Sequence, residues 1–110
     1  MDIPPDEIDE LKALFKTVME AVEAGVKYFL LSDSRLPSGC RPDRCDLLLC
    51  PIPRDGYPSR LFFSAQVTST SQRSWAKHRI LERDWFVCSW KDGGQSRLAQ
   101  MVIAHLEAVK

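Results

Sequence analysis

Apolar residues recur at alternating spacings of three and four through Ile8, Leu11, Phe15, Val18 and Val22, with Leu14 and Met19 widening the stripe. This is the period of one helical face and predicts a helix over residues 6–24. Pro4 and Pro5 suit its start, the acids Asp6, Glu7, Asp9 and Glu10 favour its positive end, and Gly25 suits its stop. Residues 26–31 (VKYFLL) are short and rich in β-formers, which predicts a strand. Residues 32–44 (SDSRLPSGCRPDR) combine two prolines, a glycine and small polar side chains and predict a loop. The continuous apolar run 46–50 predicts an interior strand, stopped by Pro51 and Pro53 because proline cannot donate to a ladder. Asp55-Gly56 supplies a tight turn and Tyr57-Pro58 a rigid bend. Residues 60–67 then alternate, with Leu61, Phe63, Ala65 and Val67 on one face and Arg60, Phe62, Ser64 and Gln66 on the other.

Residues 68–74 (TSTSQRS) are polar and predict a loop, whereas residues 75–84 fit a helical turn and a short strand equally well. Residues 85–90 (WFVCSW) return to β character, Lys91-Asp92-Gly93-Gly94 reads as a turn, and residues 96–109 form an amphipathic helix with Leu98, Met101, Val102, His105, Leu106 and Val109 inward. Ser96 is the expected cap. The expectation is one α+β domain over residues 1–110: a short antiparallel meander of strands 26–31, 46–50, 60–67 and 85–90, with both helices on one face and the other face partly open.

Composition narrows the function classes. The chain has 110 residues, 45% apolar and 27% charged, with zero formal net charge. That is enough for one core and no second domain. No apolar run approaches a membrane span, and the acidic start MDIPPDEIDE differs from a secretory leader, so a cytoplasmic location is expected. Charge is uneven: residues 1–24 hold seven acids and two lysines, while residues 35–83 hold nine Lys/Arg and four acids. The zero total argues against nucleic-acid coating but leaves room for a basic face.

In a reducing compartment Cys40, Cys45, Cys50 and Cys88 are thiols or ligands rather than disulfides. Their spacing does not match the close pairs of a structural zinc site. On a strand Cys45 and Cys50 face opposite ways, which favours free thiols and an absence of tightly bound zinc. The weak metal candidates are Cys45, His78, Glu82 and His105, which have zinc chemistry if the fold gathers them. His105 also fits a core histidine with a satisfied hydrogen bond. No Ser-His-Asp arrangement or phosphate loop can be placed, Gly93-Gly94 lacking the pattern and the lysine. The Tyr57-Pro58 corner, with Arg60, Phe62 and Trp75 expected beside it, joins aromatic anchors to positive charge as protein-binding hot spots do. The alternative is that Tyr57 and Pro58 fix the turn while Phe62 completes the core.

The segment CDLLLCPIPRDGYPSRLFF resembles ubiquitin-conjugating enzymes: residues 47–51, Gly56-Tyr57-Pro58 and Leu61-Phe62-Phe63 are similar to their apolar strand, Tyr-Pro bend and following strand. Together with WFVCSW and the helix RLAQMVIAHLEAV, the chain is similar to compact bacterial proteins of this kind, found in operons with ubiquitin-like proteins, activating enzymes and deconjugating peptidases. The resemblance implies a Ubc-like fold and a ubiquitin-like protein or its activating enzyme as partner. Residues 68–84 carry neither the His-Pro-Asn motif nor a cysteine, so the implied role is a non-catalytic adaptor. Cys88 would be the nucleophile of an active version, activated by a positive neighbour. Metal binding through Cys, Glu and His, predicted for some small proteins of such operons, is the other alternative implied.

Overall fold

The computed structural model describes residues 3–69, 74–90 and 97–110. Helix α1 (Pro5–Leu14) ends far short of Gly25: Phe15 turns extended (φ −125°, ψ 132°) while its N–H still donates to Leu11 O at 3.0 Å. The chain continues as strand β1 (Val18–Glu23), turns at Ala24 (φ 51°) and Gly25 (φ 78°), and returns as β2 (Val26–Arg35). Glu23 opposite Val26 closes a two-residue hairpin. Two successive left-handed residues are what such a turn requires, so Gly25 serves a hairpin rather than a helix end. Val18 and Val22 are four apart, a spacing that satisfies both a helical face and alternate positions of a strand. β-Branching and pairing with β2 select the strand.

Strand β3 (Arg44–Cys50) follows a loop, β4 (Arg60–Phe63) follows the proline corner, and β5 (Trp75–Ile80) and β6 (Arg83–Cys88) form a second tight hairpin through Leu81 (φ 55°) and Glu82 (φ 61°). Helix α2 (Leu98–Ala108) ends the described chain. Among the described residues the sheet has six strands in the order β1-β2-β3-β4-β6-β5, every neighbouring pair antiparallel. The expected strand 60–67 stops at Phe63, 26–31 runs on to Arg35 through a bulge near Asp33, and 75–80 is a strand. The expected turn at residues 91–94, the Ser96 cap and residues 70–73 of the expected loop lie outside the described residues.

These findings overturn the α+β, Ubc-like architecture. Where a helix of nineteen residues was expected there is a ten-residue helix and a hairpin strand, and the described residues form a small sheet-dominated fold with two short helices. The helices do share one face. Leu11 and the α2 residues Leu98, Ala99, Met101 and Val102 pack with Phe29, Leu31, Leu47, Leu49, Leu61 and Phe63. Arg97, next to the start of α2, bonds Asp6 (3.0 Å) and Glu10 (3.1 Å), and Glu7 accepts the Leu98 N–H at 3.2 Å, so α1 supplies the acceptor that α2's own N-cap residue does not.

The opposite face carries a buried core of its own, while Met19 at its β1 edge, opposite Leu30, stays exposed. Tyr28, Leu48, Cys50, Phe62, Ile80, Trp85 and Val87 form a second buried cluster. Flat strands two places apart are separated by about 9–10 Å. The rings of Phe62 on β4 and His78 on β5 meet at 5.6 Å across β6, so side chains from strands two places apart lean together over this core. The run Leu47–Cys50 is buried at every position because its side chains divide between the two cores.

Candidate functional site

Pro51 and Pro53 end the β3 ladder, and the chain between β3 and β4 becomes a clamped corner. Arg54 N–H donates to Tyr57 O and Tyr57 N–H donates to Arg54 O, both at 2.9 Å, across Asp55 (φ 53°) and Gly56 (φ 84°). The positive φ at Gly56 is the physical reason for glycine there. On the helix side, fully buried Ser59 has its Oγ 3.0 Å from His105 Nε2, tying the corner to α2. His105 is itself buried and packs edge-on against Trp90.

Two arginines build the other side. The Arg60 side chain is only 6% exposed: it stacks 4.1 Å from the Tyr57 ring centroid, donates to Asp55 Oδ2 at 3.2 Å and reaches Cys88 O at 3.4 Å. Arg54 folds back over the second core, 5.6 Å from the Phe62 centroid and 6.0 Å from that of Tyr28, and donates to the Tyr28 hydroxyl. Its Nε is buried with no hydrogen-bond partner, the nearest carboxylate being Asp55 at 3.7 Å. Both guanidinium groups share the one carboxylate of Asp55, which leaves local positive charge. Burial, and then the charges of Arg60 and Arg54, hold the His78 imidazole below its ordinary pKa and favour its neutral form. Burial pushes the Cys50 thiol up.

Of the candidate partner-binding residues, the fold brings Tyr57, Pro58, Arg60 and Phe62 together but gives them different tasks. Pro58 is exposed and Tyr57 half-buried, whereas Arg60 and Phe62 are inside, Phe62 beneath both guanidinium groups. Trp75 is not with them: it lies on the helix side, edge-on to Phe63 at 5.6 Å. The metal candidates are also dispersed. Cys45 packs toward the helix-side core, His78 sits on the opposite face, Glu82 is exposed in the β5–β6 turn and His105 is on α2. Among the described residues no three His, Cys, Asp or Glu side chains are grouped to hold an ion. Cys88 is buried against the helix-side core. None of the four cysteines forms a disulfide, and Cys45 and Cys50 lie in opposite cores as their odd separation requires.

Sequence reasoning passed over Arg54, Tyr28 and Ser59. The only local signal for Arg54 was its place between Pro53 and Asp55, which says nothing about the two rings it would cover. The Ser59–His105 contact pairs a hydroxyl with an imidazole, and with both side chains buried it ties the corner to α2. Among the described residues no helix is long and apolar enough to cross a membrane. Comparison with protein-family models, curated proteins and solved structures finds no match for this chain.

Proposed function

We propose that this protein is a non-catalytic binding module that docks a protein partner through the corner formed by Arg54, Asp55, Tyr57 and Pro58. What carries the reading is the pre-positioning of Arg54. Its side chain is 29% exposed, held over Tyr28 and Phe62 and flanked by half-buried Tyr57 and exposed Pro58, so a partner would meet an ordered cation beside an aromatic ring. Ordering such a side chain before encounter lowers the entropy cost of docking. The partner class proposed is a ubiquitin-like protein or its activating enzyme. That choice rests on the likeness of residues 47–51, 56–58 and 61–63 alone, since the architecture does not follow it.

The burial pattern selects the variants for the test. Arg60 and Phe62 belong to the interior, so changing them would confuse binding with folding. Arg54→Gln with Pro58→Ala alters the rim, places no like charge beside Asp55 and leaves the Tyr57 ring over Arg60. Capture of ubiquitin-like and activating-enzyme candidates should fall about tenfold or more, the equivalent of ~1.4 kcal/mol, while the thermal midpoint stays within a few degrees. Undiminished capture by the double variant would place the partner elsewhere and reduce the corner to a structural turn.

A further inference from the structure

The sheet has two outer strands, β1 and β5, and they differ in kind. β1 (VMEAVE) contains no lysine or proline, and its only charges are Glu20 and Glu23. Of the four large apolar side chains exposed among the described residues, three lie on or just before it: Leu14 (56%), Met19 (56%) and Val22 (62%). β5 (WAKHRI) carries the exposed cations Lys77 and Arg79.

The ladders fix what each edge offers. Ser32 N–H donates to Thr17 O, so position 17 points inward and, by alternation, Val18, Glu20 and Val22 turn their N–H and C=O groups outward. Ser89 N–H donates to Ser74 O, which makes Trp75, Lys77 and Arg79 the outward residues of β5. Both triplets place their side chains on the helix-covered face, because Glu20 lies opposite Phe29 and Trp75 opposite Cys88, members of that core. With six strands all antiparallel, β1 and β5 run in opposite directions.

We infer that β1 of one copy pairs with β5 of another, continuing the antiparallel sheet head to tail. A second copy in the same orientation meets four requirements at once: strand direction, shared face, matching hydrogen-bonding edges and complementary charge. The register that aligns them sets Glu20 opposite Lys77, Val22 opposite Trp75 and Val18 opposite Arg79. Glu20 already meets Lys27 at 3.0 Å with both side chains about half exposed, and Lys77 has no ion-pair partner among the described residues, so the contact supplies one. Trp75 covers the exposed Val22. The contact is heterologous, so it builds a ring or a filament rather than a two-fold dimer.

Sedimentation velocity over a wide concentration series, at low and high salt, tests this directly. The wild type should gain mass with concentration, less so at high salt. Glu20→Lys and Lys77→Glu should each weaken association about tenfold or more, through like charges set opposite one another. Either an equimolar mixture of the two or the doubly reversed chain should restore it, whereas a two-fold β1–β1 contact would not respond to Lys77→Glu at all. Val22→Pro removes an outward N–H that the isolated fold does not use, so it should block association while preserving the circular-dichroism spectrum. A wild type that stays at monomer mass overturns the inference, as does wild-type-like association of either reversal or of Val22→Pro. Folded single variants whose mixture stays monomeric overturn the register.

Discussion

Arg60 and Arg54 are the same residue type a few positions apart and do opposite work. The Arg60 guanidinium is enclosed, with the Tyr57 ring on one side and Asp55 and the Cys88 carbonyl as acceptors. Arg60→Ala would leave that carbonyl and part of the Asp55 charge uncompensated, and a loss of about 2–3 kcal/mol is expected in urea unfolding. Arg60→Lys keeps the charge but loses the forked geometry and should fall between the two. Phe62→Ala should cost about 3–5 kcal/mol, because its ring is wholly enclosed in the second core. The thiols separate by burial in the same way. Burial raises the pKa of Cys40, Cys45 and Cys50, but only Cys45 is half-buried, so mass spectrometry after iodoacetamide treatment of native protein should find Cys45 modified first and the others after denaturation.

At the scale of elements, the two tight hairpins carry backbone strain that a substitution can relieve. Ala24, Leu81 and Glu82 adopt positive φ without being glycine. Left-handed conformations cost ordinary residues about 1–2 kcal/mol. Glu82→Gly should therefore raise stability by about 0.5–1 kcal/mol, since the contact its carbonyl makes with Arg79 involves backbone only. Ala24→Asn, giving an Asn-Gly turn, should act in the same direction. A fall in the denaturation midpoint of either variant would contradict this account of the turns. The β1–β2 hairpin also shows how the sequence misled. Ile8, Leu11 and Phe15 face the core as a helical stripe and its cap, but Val18 and Val22 continue the same numerical period as strand residues.

For the molecule as a whole, pH couples to distant parts of the fold. The Asp46 carboxyl accepts the Asp33 N–H at 2.8 Å and the Arg83 guanidinium at 2.7 Å, linking the β2 bulge, β3 and β6, and the two bonds in that order hold its pKa below the ordinary aspartate value. Hydrogen bonding to Arg97 does the same for Asp6. A carboxylate lowered in the folded state gives stability that is present above its unfolded pKa and is lost as pH falls through the folded one. Stability should therefore hold near neutrality and decline through and below the ordinary aspartate range. His78 adds to the decline earlier, because its depressed pKa makes acidification through the imidazole range unfavourable to the folded state. Asp46→Asn should cost about 1–2 kcal/mol at neutral pH and flatten the acid limb of a plot of unfolding free energy against pH.

What the sequence determined by itself was whatever depends on near neighbours. The apolar run at 47–50, the turn at Asp55-Gly56, β character at 60–63 and 85–88, and the amphipathic final helix all follow from local pattern and turn chemistry. Tertiary structure decided the rest. Residues 18–23 and 75–80 become strands because β2 and β6 lie beside them to accept their hydrogen bonds, a fact that no window of sequence contains. The helix-free face gained a buried core because side chains of β2 to β6 pack together there with Arg54 folded over them. Arg54 became the half-buried cation and Arg60 the enclosed one because the corner folds back over the sheet. Its register, set by the β3–β4 pairing of Cys50 with Arg60, is a long-range property that composition and periodicity leave open.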